Sequence, residues 1–163
     1  MRHRLLLLCA TTAALFSASE ARAHCEIPCG IYHDDQRFPT LDEHVQTIEK
    51  SMLKIVELSA DPAANANQIT RWVLNKEKHA DNIQETVTQY FLTQRIKLPD
   101  MPDMSDSKAV ETYKDQLETY KDQLAMLHKL LVYAMKSKQT TDVANTKVLH
   151  DTIHEFKAAY MGK

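Results

Sequence analysis

The chain has 163 residues, a formal net charge of −2 and two glycines. So few glycines exclude a fold rich in turns and strands, and the sequence therefore predicts a helical protein. No stretch offers the clustered basic residues of a nucleic-acid-binding surface, so we expect no nucleic-acid partner.

Residues 1–23 predict a secretory signal peptide. Residues 2–4 give a basic start, residues 5–16 an apolar run, and residues 21–23 the small-x-small sequence typical of a signal peptidase site. The apolar run is shorter than the roughly 20 residues that span a membrane. We therefore expect a mature protein that begins at His24, is exported to the periplasm or secreted, and has no stable membrane association. If the leader is only a processing signal, the protein is instead cytoplasmic.

The segment His24–Tyr32, which reads His-Cys-Glu-Ile-Pro-Cys-Gly-Ile-Tyr, gathers metal-binding groups at the new N-terminus. Cleavage provides the His24 α-amine, the backbone nitrogen of Cys25, and the thiolates of Cys25 and Cys29. The His24 imidazole can serve as an axial ligand. A planar set of two nitrogens and two sulfurs suits nickel(II) or copper(II), whereas structural zinc favours a tetrahedron. We therefore predict a metal-binding hook and linker over residues 24–38.

Residues 39–163 predict four helices with short connections, which indicates an all-α, up-down-up-down four-helix bundle behind the hook. Thr40 and Glu43 have the spacing of a capping box at the start of the first helix. Asp61-Pro62 should end that helix, since proline is disfavoured inside a helix. Apolar residues at steps of three and four predict the inner faces. They are Leu41, Val45, Ile48, Met52 and Ile55 in the first helix, and Ile69, Trp72, Val73, Ala80, Ile83, Val87 and Phe91 in the second.

A predicted loop over residues 98–103 precedes a third helix that contains a repeat. Residues 111–117 and 118–124 have the same sequence, Glu-Thr-Tyr-Lys-Asp-Gln-Leu. The duplication adds two helical turns, about 10 Å, so we interpret it as a lengthened helix that projects or extends a subunit contact. Its predicted inner positions are Val110, Tyr113, Leu117, Tyr120, Leu124, Leu127, Leu131 and Ala134. Thr141-Asp142 is predicted to start a last helix lined by Val143, Leu149, Ile153, Phe156 and Tyr160.

The pattern His-Cys-x-x-Pro-Cys-Gly-x-Tyr at a mature N-terminus resembles that of the nickel superoxide dismutase family. Every fixed position is present: His24, Cys25, Pro28, Cys29, Gly30 and Tyr32. The stretches around Thr70-Arg71, Lys76-Glu77 and Tyr90-Phe91 resemble the second helix of the family. The resemblance implies a four-helix bundle assembled as a homohexamer with one nickel ion per subunit. It also implies disproportionation of superoxide to dioxygen and hydrogen peroxide by Ni(III)/Ni(II) cycling.

Roles for individual residues follow from the same resemblance. His24, Cys25 and Cys29 correspond to the nickel ligands. Tyr32 corresponds to the tyrosine that lines the approach of the substrate to the metal. Tyr90 matches a second aromatic position near the site.

The chain departs from the family pattern in two respects. His79 occupies a position where the family often has an arginine behind the axial histidine, and either Asp42 or Glu43 is the acidic partner expected near it. Many relatives have a short leader that a dedicated protease removes, whereas this leader is typical of export. We therefore expect either signal peptidase or a maturation protease to act on the chain.

Other interpretations stay open from the sequence. The same hook would serve a non-catalytic exported carrier or sensor of nickel or copper, and Cys25 and Cys29 would form a disulfide in an oxidising compartment. Cys9 is interpreted as part of the leader, not as a lipid attachment site. His150 and His154, four residues apart, are interpreted as surface histidines rather than as metal ligands on one helix face.

Overall fold

The computed structural model describes residues 34–162, which form four α-helices and no strand. After a single 3-10 turn, α1 covers Arg37–Leu58, α2 Pro62–Glu85, α3 Ser107–Gln139 and α4 Ala144–Met161, and a π-helical segment, Thr86–Arg95, continues α2. Helices α1 and α3 each pack against both α2 and α4, so all four surround one core. The predicted all-α, up-down-up-down bundle is confirmed. No helix in this part of the chain is long and apolar enough to cross a membrane.

Helix α1 begins earlier than the capping-box pattern indicates. It starts at Arg37, and the Thr40 hydroxyl donates to the carbonyl of Gln36 at 2.9 Å instead of capping a helix terminus. The predicted capping box of Thr40 and Glu43 is therefore wrong. Pro39 lies in the first turn, where its missing N–H removes no helical hydrogen bond. Phe38, 1% exposed, holds that turn against the core.

The predicted break at Asp61-Pro62 is confirmed. Pro62 is the first residue of α2, and the Asp61 carboxylate accepts a hydrogen bond from the backbone N–H of Ala64 at 3.2 Å. The predicted loop over residues 98–103 is also confirmed, and α3 begins beyond it at Ser107. These junctions are local, because proline and capping carboxylates act within one helical turn.

The last helix starts two residues later than predicted. It begins at Ala144, whose N–H donates to the Asp142 carboxylate at 2.9 Å. Val143 is 38% exposed, so its assignment to the inner face is wrong. The predicted inner residues Leu149 and Ile153 are buried.

Sixteen buried side chains from all four helices form one hydrophobic cluster. They are Phe38, Leu41, Val45, Ile48, Met52, Ala80, Ile83, Val87, Tyr90, Phe91, Leu127, Leu130, Ala134, Leu149, Ile153 and Phe156. At one end of it, Phe38, Phe91, Phe156 and Tyr160 meet with ring centroids 5.0 to 6.3 Å apart. The predicted inner residues Ile69, Trp72 and Val73, near the start of α2, are only partly buried.

Helix α3 extends well beyond the core. Between residues 107 and 126 no side chain is fully buried, and the duplicated heptads lie in this part. Further along, Leu130 is fully buried, and the predicted Leu131 is partly buried and packs against the hydrophobic core. A straight helix drifts by about 20° per heptad from a strict seven-residue repeat, which moves the buried stripe over this length.

Lys76 ties α2 to the C-terminal end of α3. Its side chain is 3% exposed, and its ammonium donates to the carbonyls of Ser137, Lys138 and Thr140 at 2.8, 2.6 and 3.1 Å. These carbonyls lie where a helix leaves acceptors without intrahelical partners and where its dipole favours a cation. Lys76 therefore acts as a cap supplied by a neighbouring helix.

Candidate functional site

The predicted ligands His24, Cys25 and Cys29, and the predicted catalytic Tyr32, lie outside the described residues. The predicted signal peptide and most of the hook and linker do so as well. The described structure begins two residues after Tyr32, at Asp34. It therefore begins just after the predicted motif of residues 24–32.

Asp34 is bound by side chains from two other parts of the fold. Its carboxylate accepts hydrogen bonds from the hydroxyls of Tyr90 and Tyr160, the latter at 2.6 Å, and pairs with the Arg95 guanidinium at 2.8 Å. Tyr90 and Arg95 belong to the π-helical segment, whereas Tyr160 lies near the end of α4. We call Asp34, Tyr90, Arg95 and Tyr160 the anchor cluster, because these contacts fasten Asp34, the first described residue, to the bundle.

The π-helical winding places Tyr90 and Arg95 together. In this winding a residue bonds to the fifth residue before it, as the N–H of Ile96 does to the Phe91 carbonyl at 2.9 Å. Tyr90 and Arg95 have the same spacing, and the Arg95 guanidinium donates to the Tyr90 hydroxyl at 3.1 Å. The guanidinium carbon of Arg37 lies 4.3 Å from the Tyr90 ring centroid, a cation–π contact.

The anchor cluster favours a charged Asp34. Burial alone raises the pKa of this carboxyl, but hydrogen bonds from Tyr160 and Tyr90 and the charge of Arg95 outweigh it, so the pKa lies below its ordinary value. Burial and the bond to Asp34 raise the pKa of the Tyr160 hydroxyl. The bond to Tyr90 and the charge of Asp34 raise the pKa of Arg95. A carboxylate, a protonated phenol and a guanidinium thus coexist at neutral pH.

His79 has a different partner from the acidic residue expected from the family pattern. Its Nδ1 lies 3.0 Å from Nδ1 of His44, while Asp42 lies beside His154 and Glu43 is exposed. Residues two apart project from nearly opposite sides of a helix, so Asp42 faces α4 when His44 faces α2. One ring must donate and the other accept, so at least one is neutral. Burial and the charge of His79 lower the pKa of His44.

Among residues 34–162 one cluster of three side chains has metal-binding potential. Asp42, His150 and His154 present ligand atoms that all lie within 4.8 Å of one another. His150 and His154 are about half exposed, as predicted for surface histidines, but they face a carboxylate from α1. This cluster contains no sulfur, since the three cysteines of the chain are at positions 9, 25 and 29.

A cleft of about 670 Å³ lies between the start of α1 and the end of α4. Asp35 and Gln36, which follow Asp34 directly, line it together with Glu43, His154 and Lys157. The cleft therefore begins beside the anchor cluster and carries a cation on its α4 side.

Sequence reasoning missed Asp34, Arg95 and His44. Asp34 is separated from Tyr90 by 56 residues and from Tyr160 by 126, so no local pattern connects them. Tyr160 was assigned only to the inner face of its helix. Tyr90 was matched to an aromatic position near the site; its hydroxyl binds Asp34, and the predicted site itself lies outside the described residues.

One comparison with known proteins gives a match. A family model described as nickel-containing superoxide dismutase matches residues 19–163. No curated protein and no solved structure matches the chain. The matched range contains both the motif at residues 24–32 and all four helices, so it is not a match to the short motif alone.

Proposed function

The chain belongs to the nickel-containing superoxide dismutase family, and on that premise we propose that His24, Cys25 and Cys29 hold its nickel ion after residues 1–23 are removed. The protein is a nickel-dependent superoxide dismutase, an oxidoreductase whose substrate is superoxide. The observation that carries the proposal for the site is the span of the family match, which includes the complete motif. No finding favours the non-catalytic carrier.

The donors of the hook fit nickel. When bound, nickel supplies one-electron oxidation and reduction, which thiolate and deprotonated amide ligands make accessible. In a chain that begins at His24, Cys25 and Cys29 are the two sources of thiolate. The cluster of Asp42, His150 and His154 offers only nitrogen and oxygen, so it is a poor candidate for the redox centre.

We propose that the anchor cluster fixes the base of the hook. Tyr32 is two residues from Asp34, so covalent geometry limits the separation of their Cα atoms to about 7 Å. The hydroxyls of Tyr90 and Tyr160 are committed to Asp34. Tyr32, which the family resemblance places on the approach of the substrate, is proposed to orient superoxide and its protons. Because Asp34 is held in place, the residues that precede it have less conformational entropy to lose when they position a small anion.

Local positive charge is proposed to attract the substrate. The leader carries three arginines and one glutamate, so a mature chain from His24 has a net charge of −4 and repels superoxide at long range. Arg37 stacks on Tyr90, and Lys157 lines the neighbouring cleft. Neither forms an ion pair with another described residue. Their charges are therefore available to an approaching anion.

His44 and His79 are proposed to replace the arginine and acidic partner that the family often places behind the axial histidine. The support is their contact of 3.0 Å across the α1–α2 interface. A hydrogen-bonded pair of this kind can hold one imidazole proton at a defined nitrogen. It would position another group through a hydrogen bond.

Assembly, processing and location are also proposals. The homohexamer follows from the family resemblance, and exposed apolar side chains on α1 and α2 support a subunit contact: Leu53, Val56 and Leu74 are 56 to 61% exposed. Removal of the leader by signal peptidase or a maturation protease would free the His24 amine. The export pattern of the leader supports a periplasmic or secreted protein without stable membrane association.

The test compares protein beginning at His24 after loading with nickel, copper or zinc. We expect rapid superoxide consumption and a rhombic Ni(III) electron-resonance signal from the nickel form alone, and loss of both in Cys25→Ser and Cys29→Ser. Tyr32→Phe should keep the nickel but lower the rate. Full activity in Cys29→Ser would refute the assignment. A mass under non-reducing conditions that is lower by two hydrogens would show a disulfide instead.

A further inference from the structure

The pairing of α1 with α4 brings one carboxylate and two imidazoles together outside the hook. Asp42 lies on α1, and His150 and His154 lie on α4. Nε2 of His154 is 3.4 Å from Oδ2 of Asp42, and the two histidine rings are 4.4 Å apart between centroids. Residues four apart are neighbours on one face of a helix, which explains why both rings reach the same carboxylate.

The separations match those of a small coordination sphere. Ligand atoms about 2.1 Å from a tetrahedral zinc ion lie roughly 3.4 Å from one another. The His154–Asp42 distance already has this value, and the largest separation in the cluster, within 4.8 Å, requires only a small movement of side chains. His150 and His154 are 52% and 53% exposed, so their rings have room to move.

The Asp42 carboxylate provides an independent indication of a missing ligand. Its Oδ1 is buried and has no hydrogen-bond partner among the described residues. A buried carboxylate oxygen without a partner is costly, and such atoms are usually bound by a donor, an ordered water or an ion. A cation bound by this carboxylate would provide the missing partner.

A further carboxylate supports one of the imidazoles. Oδ1 of Asp151 lies 3.4 Å from Nδ1 of His150, and Nζ of Lys147 lies 2.6 Å from Oδ2 of Asp151. Metal-binding histidines commonly donate one ring N–H to a carboxylate, which fixes the ring and leaves the other nitrogen for the ion. Asp151 is placed to do this for His150.

We propose that Asp42, His150 and His154 form a second metal site that binds a divalent transition-metal ion of the zinc type. Two imidazoles and one carboxylate with an open fourth position are a common zinc ligand set. Without a thiolate the site lacks the donors proposed for nickel redox chemistry. The ion would clamp α1 to α4 next to the cleft at the base of the hook. This site does not depend on the assignment of the hook.

In the first test the nickel-loaded protein is titrated with zinc. Calorimetry measures the affinity, and metal analysis counts the ions bound per chain. We expect one zinc ion per chain in addition to nickel, and a loss of zinc affinity of at least tenfold in His154→Gln and in Asp42→Asn. His128→Gln, which changes an exposed histidine of α3, is the matched control and should bind zinc like the parent protein. Asp151→Asn should weaken binding about tenfold.

X-ray absorption at the zinc edge separates this site from the hook. The proposal predicts that the zinc ion has nitrogen and oxygen neighbours, with imidazole scattering and no sulfur. Adding zinc should also raise the melting temperature of the parent protein, and His154→Gln should abolish this increase. Circular dichroism at 222 nm checks that each variant is folded. Zinc bound equally by His154→Gln and His128→Gln, a sulfur-containing zinc shell, or no zinc binding by the parent would each overturn the proposal.

Discussion

Replacing Asp34 by asparagine tests whether the anchor cluster holds the base of the hook. The substitution keeps the size of the side chain but removes the charge that Tyr90, Tyr160 and Arg95 bind. A charge-assisted hydrogen bond contributes about 1 kcal/mol more than a neutral one, so three such contacts amount to about 3 kcal/mol. For a mature chain of this size that corresponds to a melting temperature lower by about 10 °C.

Asp35→Asn is the matched control. Asp35 is the next residue and also acidic, but it is exposed and forms no side-chain hydrogen bond with another described residue. Calorimetry should show a large decrease for Asp34→Asn and almost none for Asp35→Asn. At 25 °C, where both remain folded, Asp34→Asn should also have lower dismutase activity per bound nickel. Melting temperatures within about 2 °C of each other would refute the anchoring role.

Three further predictions concern acid, Lys76 and Arg37. The folded-state pKa of Asp34 lies below its ordinary value of 3.8, so the stability that the Asp34 carboxylate contributes is complete above that pH and is lost as the pH falls through the lower value. The denaturation midpoints of the parent and Asp34→Asn should therefore converge in acid. A constant difference down to pH 2 would contradict this. Lys76→Met should lower the free energy of unfolding in urea by about 3 kcal/mol, because three carbonyls lose a charged donor. Lys78→Met, which changes an exposed lysine, should lower it little. Equal effects would exclude the capping role. Arg37→Gln should lower kcat/KM and weaken its dependence on ionic strength, and an unchanged salt dependence would exclude Arg37 from substrate attraction.

Sequence reasoning was most accurate where one or two turns of chain decide the structure. Asp61 and Pro62 start a helix through a local carboxylate and a fixed backbone angle, and the loop over residues 98–103 contains two prolines. The capping box failed for the opposite reason. Thr40 and Glu43 have the right spacing, but burial of Phe38 against aromatic residues far along the chain keeps the preceding turn helical. A distant contact outweighed a local signal.

The two halves of the candidate site differ in the same way. The hook is a linear motif, so nine residues of sequence are enough to predict its donors. The anchor cluster joins residues 34, 90, 95 and 160, and the cluster with Asp42 joins residues that are more than 100 positions apart in the sequence. The spacing of four positions from His150 to His154 was visible, but the position of the carboxylate opposite them depends on how α1 packs against α4.

The most direct test of the account is to prepare the protein with either His24 or Ala23 as its first residue and load both with nickel. The forms differ by one alanine, but only the first presents the His24 α-amine. We predict that the His24 form has full activity and a rhombic Ni(III) signal, whereas the Ala23 form has neither. Equal activity in both forms would contradict ligation by the liberated amine.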